Sequence, residues 1–134
     1  MMWVRLERDE PFPVRFGRID VLVNNAGILV PGKITELDTP NWHKLLATDL
    51  DSVFFCSKAC IPHLERTQGC IVNVSSVSCL GGDAGIPAYN AVKGAVTNLT
   101  RATAIDHAEA GVRVNAVCPG FTAKTAGQPI HLFV

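Results

Sequence analysis

Three short apolar runs recur along the chain, and each closes on small or turn-forming residues: "IDVLVNNAG" at 19–27, "CIVNVSS" at 70–76 and "VRVNAVCPG" at 112–120. They are rich in β-branched residues and show little polar alternation. That pattern predicts strands buried on both faces, in a parallel sheet covered by helices. The segments between them read as helices. Thr39 followed by Pro40 predicts an N-cap with proline at the first helical position, and the helix is expected to run to about 62–66. Gly69 then marks the return toward the sheet. A second helix is predicted from near Pro87 to just before Gly111, with Gly111 as its C′ residue. Its inward stripe is read as Ala88, Val92, Ala95, Leu99 and Ala102, at steps of four and three. Tyr89, Lys93 and Thr97 lie on a neighbouring stripe. The order strand, helix, strand, helix, strand defines an α/β fold whose crossovers are expected to be right-handed. The first 18 residues and the last 12 or so follow neither period, and no internal repeat is present.

Composition narrows the function classes. The 134 residues fall within the size of one domain, and 48% apolar content points to a filled core rather than disorder. Twelve basic and twelve acidic residues give a formal net charge of zero, without the basic stripe of a nucleic-acid binder. No run of about 18 apolar residues occurs, so no membrane span is expected, and the N-terminus lacks the apolar stretch of a secretory signal. Five cysteines at 56, 60, 70, 79 and 118 include no C-x-x-C, and the four histidines at 43, 63, 107 and 131 have no ligand spacing. Reduced thiols in a cytoplasmic protein with no metal site are the expectation.

The candidate chemistry sits at the carboxyl ends of the predicted strands, where open α/β sheets bind ligands. In "AYNAVKGAV", Tyr89 and Lys93 are four apart on a helix and stack on one side. Taken alone, the pair also suits a packed ring and a solvated amine. Ser76, at the end of the second strand, can converge on the same crevice. A phenol is a poor base at neutral pH, but an adjacent ammonium favours phenolate, so Lys93 is expected to lower the pKa of Tyr89. A serine hydroxyl can hold a substrate oxygen as charge develops. Together the three suit the interconversion of an alcohol and a carbonyl.

"NNAG", then "GCIVNVSS", then "YNAVK" with its Tyr thirteen residues after Ser76, then "VRVNAVCPGF", resembles the short-chain dehydrogenase/reductase family in order and spacing, from about Phe16 to Thr122. The resemblance implies a partial doubly wound, Rossmann-like parallel sheet of about three strands with two long helices. It implies one domain over 1–134, irregular at 1–15 and 123–134, and an NAD- or NADP-dependent oxidoreductase acting on a small alcohol or carbonyl. By the same resemblance Tyr89 is the general acid/base, and Lys93 lowers its pKa and holds the nicotinamide ribose. Ser76 orients the substrate oxygen. Asn25, with Ala26 and Gly27, approaches the adenosine side of the cofactor, and Pro119, Gly120 and Thr122 meet the nicotinamide. Relatives commonly pair the two long helices across a two-fold axis, so a homodimer or homotetramer is expected.

Two departures from the family pattern stand out. Asp49, in "LLATDLDSVFF", occupies the place of the family's usual active-site Asn, whose main-chain carbonyl holds a relay water near the Lys. Asp49 is read as a fourth catalytic member. The family's opening strand and Gly-rich pyrophosphate turn have no counterpart before Asn24. "LGGDAG" at 80–85 is a poor substitute, because Asp83 repels phosphate and the loop lies on the substrate side. These 134 residues therefore read as the middle and catalytic part of such a dehydrogenase, cut on both sides. By themselves they are expected to bind dinucleotide more weakly than about 1 mM. A second reading stays open at this point: a non-catalytic fragment that only self-associates.

Overall fold

In a computed structural model, the described residues are 17–120. Strands β1 (Val21–Asn24), β2 (Cys70–Val74) and β3 (Arg113–Val117) form one parallel sheet in the order β1-β2-β3. Register runs Val21 to Cys70 and Cys70 to Arg113, so the three carboxyl ends finish side by side at Asn24, Asn73–Val74 and Ala116–Val117. The fold is the α/β arrangement that the sequence pattern predicts, in the partial Rossmann-like form that the resemblance implies.

Helix α1 (Thr39–Leu46) starts one residue earlier than expected. The cap is Asp38, whose carboxylate accepts from the Asn41 N–H at 2.8 Å, with Thr39 and Pro40 already in the first turn. Either side chain can cap, but a carboxylate also meets the positive end of the helix dipole. The rod expected over 40–65 is interrupted by a π turn at Ala47–Asp51 before α2 (Ser52–Thr67). Wide turns of this kind commonly occur at functional sites, and this one carries Asp49.

Helix α2 ends on Gln68 in the left-handed conformation (φ 51°), and Gly69 makes the return, as expected. The reason for glycine is contact. A Cβ at Gly69 would lie 2.4 Å from the Asp20 carbonyl oxygen, which already accepts from the Cys70 N–H.

Helix α3 spans Pro87–Asp106 and ends earlier than the position of Gly111 suggests. His107 is its cap, and Gly111 (φ +79°) closes the turn that follows. The buried stripe of α3 also differs from the expected one. Ala88, Tyr89, Val92, Lys93, Val96, Thr97 and Thr100 are buried, Ala95 and Leu99 are half-buried and Ala102 is exposed. The Tyr89–Lys93–Thr97 line faces inward because the sheet beneath it is polar there.

Helices α2 and α3 pack on one face of the sheet, and α1 packs against α3. Two apolar clusters result, one of Cys60, Leu64, Ile71, Val112 and Val114, the other of Leu45, Ala88, Tyr89 and Val92. A polar belt contributed by both helices and sheet includes Asn24, Ser57, Asn73 and Thr100. Asn24 Nδ2 donates to Asn73 Oδ1 (2.8 Å) and Ser57 Oγ (3.2 Å), and Asn73 Nδ2 donates to Thr100 Oγ1 (2.9 Å). Of the two-sided burial expected from the apolar runs, the described residues supply one face; on the other, Val21, Val23 and Val117 are exposed. The helices among the described residues cover one side only.

Candidate active site

The carboxyl end of β2 runs into Ser75 and Ser76, then into a 3₁₀ turn at Val77–Cys79. Ser76 begins that turn, its Oγ accepting from the Ser78 N–H at 3.2 Å. The first turns of α3 overhang it. Asn90, beside Tyr89, fastens the intervening loop by donating to the Ser78 carbonyl (3.0 Å) and to Asp83 (3.0 Å). Sequence reasoning missed Asn90; an amide directly after the candidate Tyr, opposite a loop rich in glycine, was the available signal. Ser75 turns away from the crevice and ties the layers together, donating to the Lys93 carbonyl at 3.0 Å and pairing with the Thr97 hydroxyl at 2.7 Å.

The structure brings Tyr89, Lys93, Ser76 and Asp49 together at the carboxyl end of the sheet. All four are buried. Lys93 Nζ donates to the Val74 carbonyl (3.2 Å) and faces Asp49 Oδ2 at 3.2 Å, an ion pair whose angles miss hydrogen-bond geometry. The other Asp49 oxygen accepts from the Ile28 N–H at 2.8 Å, which anchors the loop following β1. Burial pushes the Asp49 carboxyl above its ordinary pKa, while the Ile28 N–H and Lys93 oppose that rise. This loop also contains Asn25, Ala26 and Gly27. Pro119 and Gly120 follow β3, with the Val77 N–H donating to the Pro119 carbonyl at 3.1 Å. Thr122, and the irregular segments expected at 1–15 and 123–134, lie outside the described residues.

One expectation about the site is corrected. Burial holds the Tyr89 phenol above its ordinary pKa; the Ser76 hydroxyl pulls it down, and the Asp49 and Asp83 carboxylates push it further up. Lys93 does not depress it. The ammonium lies 5.5 Å from the ring centroid and is held by Asp49, whose charge offsets its own.

Tyr89 is the single tyrosine of the 134 residues, so tyrosinate absorbance reads this one group. Its titration midpoint in the folded chain is expected above the value of about 10 for a free phenol. Because the folded pKa is the higher one, this group's contribution to stability is fully present below about pH 10 and is lost as pH rises through the folded pKa. A midpoint at or below that of the urea-unfolded chain would contradict this account.

The Tyr89 hydroxyl is buried and has no hydrogen-bond partner among the described residues. An orphaned buried hydroxyl costs about 1–3 kcal/mol, so the position suits an oxygen brought by a ligand. Among the described residues no group of three His, Cys, Asp or Glu side chains could hold a metal ion, and no helix is long and apolar enough to cross a membrane.

Three parallel strands with a Tyr, Lys and Ser converging at their carboxyl ends define a Rossmann-like α/β protein. Residues 11–130 match the short chain dehydrogenase family, and the chain belongs to that family. Meso-2,3-butanediol dehydrogenase of Serratia marcescens is 54% identical over 117 residues, which are 86% of this chain and 47% of that protein. Cis-4-hydroxycyclohexanecarboxylate dehydrogenase of Sinomonas cyclohexanicum is 44% identical over 118 residues, 85% of this chain and 47% of that one. The solved structure of ElxO with NADP bound has a TM-score of 0.77 at 40% identity, over 80% of this chain and 44% of that chain. The chain thus spans a little under half the length of these relatives. Nothing in these likenesses speaks for the self-associating, non-catalytic alternative.

Proposed function

We propose that this chain carries the proton-transfer half of a nicotinamide-dependent dehydrogenase that interconverts a small secondary alcohol and its carbonyl. The observation that carries this reading is the buried Tyr89 hydroxyl, which makes no geometrically formed hydrogen bond among the described residues and lies near enough to Ser76 to be influenced by it, backed by the Lys93–Asp49 pair at the carboxyl end of the sheet. NAD or NADP, when bound, supplies or takes the hydride. The chain's own residues handle the proton and the orientation. Tyr89 holds the proton on its phenol oxygen and gives it to a carbonyl oxygen, or takes it from an alcohol. Its raised pKa makes the protonated phenol the resting form, a donor ready for the reduction direction. Ser76 donates to the same substrate oxygen and fixes its place.

Lys93 has three N–H donors. The Val74 carbonyl takes one and Asp49 attracts a second, leaving a third for a ribose hydroxyl of the cofactor. Asp49 pairs with the Lys93 amine at 3.2 Å and holds it in place within a buried site. Asn25, Ala26 and Gly27 approach the adenosine side, and Pro119, Gly120 and Thr122 the nicotinamide. Small diols and cyclic hydroxy acids, the substrates in the names of two relatives, define the class to try first. A self-associated dimer or tetramer in a cytoplasmic setting completes the reading.

The test is a protein in which residues 17–120 replace the corresponding segment of the Serratia dehydrogenase. Alcohol-dependent reduction of NAD⁺ or NADP⁺ is the expected result. A folded chimera that binds cofactor and turns over no secondary alcohol would sink the proposal.

A further inference from the structure

Two thiols meet at the rim of the site. Cys79 ends the 3₁₀ turn that starts at Ser76, and Cys118 follows β3 immediately before Pro119. Separated by 39 positions in the chain, their sulfurs lie 3.7 Å apart, and both side chains are half-buried. The loops that carry them are already joined by backbone bonds, from the Ser75 N–H to the Val117 carbonyl (2.8 Å) and from the Val77 N–H to the Pro119 carbonyl (3.1 Å). The other three thiols are elsewhere: Cys56 and Cys60 on α2, and Cys70 at the opposite end of β2.

We propose that Cys79 and Cys118 form a reversible intramolecular disulfide that locks the Ser76 turn to the loop at 118–120. A disulfide needs the sulfurs at about 2.05 Å, so closure asks for an approach of a little over 1.5 Å. Ser76 Oγ is tied to the Ser78 N–H, and the Cys79 N–H donates to the Ser76 carbonyl at 3.0 Å. Drawing Cys79 toward β3 therefore pulls on Ser76 and changes what faces the Tyr89 hydroxyl.

The two sulfurs are differentiated. Burial alone would raise the Cys79 pKa, but the hydroxyls of Thr97 and Ser75, the Cys118 thiol and the Ser76 backbone outweigh it and bring it below its ordinary value. Cys118 is raised, by burial and by the neighbouring Cys79. We take Cys79 as the first attacker and Cys118 as the resolving thiol. With a small disulfide such as oxidised glutathione as oxidant, the Cys79 thiolate attacks one sulfur and expels one reduced glutathione. Cys118 then loses its proton and attacks the Cys79 sulfur of the mixed disulfide, releasing the second glutathione. Two protein thiols and one small disulfide become one protein disulfide and two small thiols, with two electrons and two protons passing to the oxidant. Cys56 and Cys60, whose pKa values burial raises, compete poorly as attackers.

The experiment uses the 134-residue chain, reduced and then exposed to oxidised glutathione under native conditions. Free thiols are trapped by alkylation and the peptides mapped without reduction. The expected product joins Cys79 to Cys118 within one chain, two hydrogens lighter, with Cys56, Cys60 and Cys70 alkylated, and reverts with dithiothreitol. In Cys118→Ala, glutathione should remain on Cys79 as a stable mixed disulfide. Oxidation of the unsubstituted chain should also shift the tyrosinate titration midpoint of Tyr89. Recovery of Cys79 and Cys118 alkylated singly, each capped by glutathione, or joined to other cysteines or other chains would overturn the disulfide. A Cys79 without glutathione in Cys118→Ala would overturn the order of attack, and an unmoved tyrosinate midpoint would overturn the coupling to the site.

Discussion

Replacing Tyr89 with Phe, in the chimera that completes the dehydrogenase, is expected to lower turnover by about 10²–10⁴-fold, the usual contribution of general acid–base catalysis. Affinity for NAD(H) or NADP(H) should stay nearly unchanged. The reason lies in how the two ends of this side chain are used. The ring packs with Leu45, Ala88 and Val92 in an apolar cluster, and Phe keeps that packing. Only the hydroxyl is removed, and it has no protein partner to lose among the described residues. The substitution therefore separates chemistry from folding more cleanly than most buried changes do; stability should be equal or slightly higher, since an unsatisfied polar atom disappears. Steady-state rates and cofactor titration together check this. A variant that keeps more than about a tenth of the rate, well above the loss general acid–base catalysis predicts, would remove Tyr89 from the proton-transfer role.

The largest expected effect on stability belongs to the ion pair behind it. Asp49→Ala should destabilise the chain by about 3–5 kcal/mol, the usual cost of stripping one partner from a buried pair. The Lys93 and Asp49 side chains are 1% and 0% exposed, so water cannot replace the lost carboxylate. Ala also loses the acceptor for the Ile28 N–H. Asp49→Asn keeps an oxygen for that N–H and a dipole toward the ammonium, and should cost less, about 1–3 kcal/mol.

Lys93→Met should become the milder way to break the pair as pH falls, because the carboxyl left behind can then take a proton. Burial already raises the Asp49 pKa, and removing Lys93 takes away one of the influences that lower it. With the folded pKa above the unfolded one, the Lys93→Met chain should gain stability as pH falls through the folded pKa toward the unfolded value and lose it as pH rises. Urea unfolding of the three variants from acid to mildly alkaline pH tests the whole scheme. Equal losses for Asp49→Ala and Asp49→Asn, or a Lys93→Met chain that weakens as pH falls, would contradict it.

Much of this was legible before any coordinates. The β-branched runs at 19–27, 70–76 and 112–120 are short, recur between helical segments, and close on turn residues, which is enough to write a parallel α/β sheet. The Tyr89–Lys93 spacing places both side chains on one line of a helix by geometry alone, and the position of Ser76 at a strand end brings it to the same crevice. These features depend on local period and on topology, and a sequence carries both.

What tertiary structure decided is the environment of those groups. The pKa direction of Tyr89 is set first by its burial, and one carboxylate that pushes it further up, Asp49, arrives from the π turn 40 positions earlier in sequence. Nothing in the local pattern of "LLATDLDSVFF" shows that its helix widens there or that Asp49 points at the ammonium. The inward face of α3 followed the polar belt of the sheet, where Asn73 meets Thr100 and Ser75 meets Thr97, and not the stripe of alanines. The approach of Cys79 to Cys118 across 39 residues is likewise invisible in the chain. Periodicity along one segment says which side chains share a face. Charge, burial and reactivity are set by groups that arrive from other segments, and only packing brings them within reach.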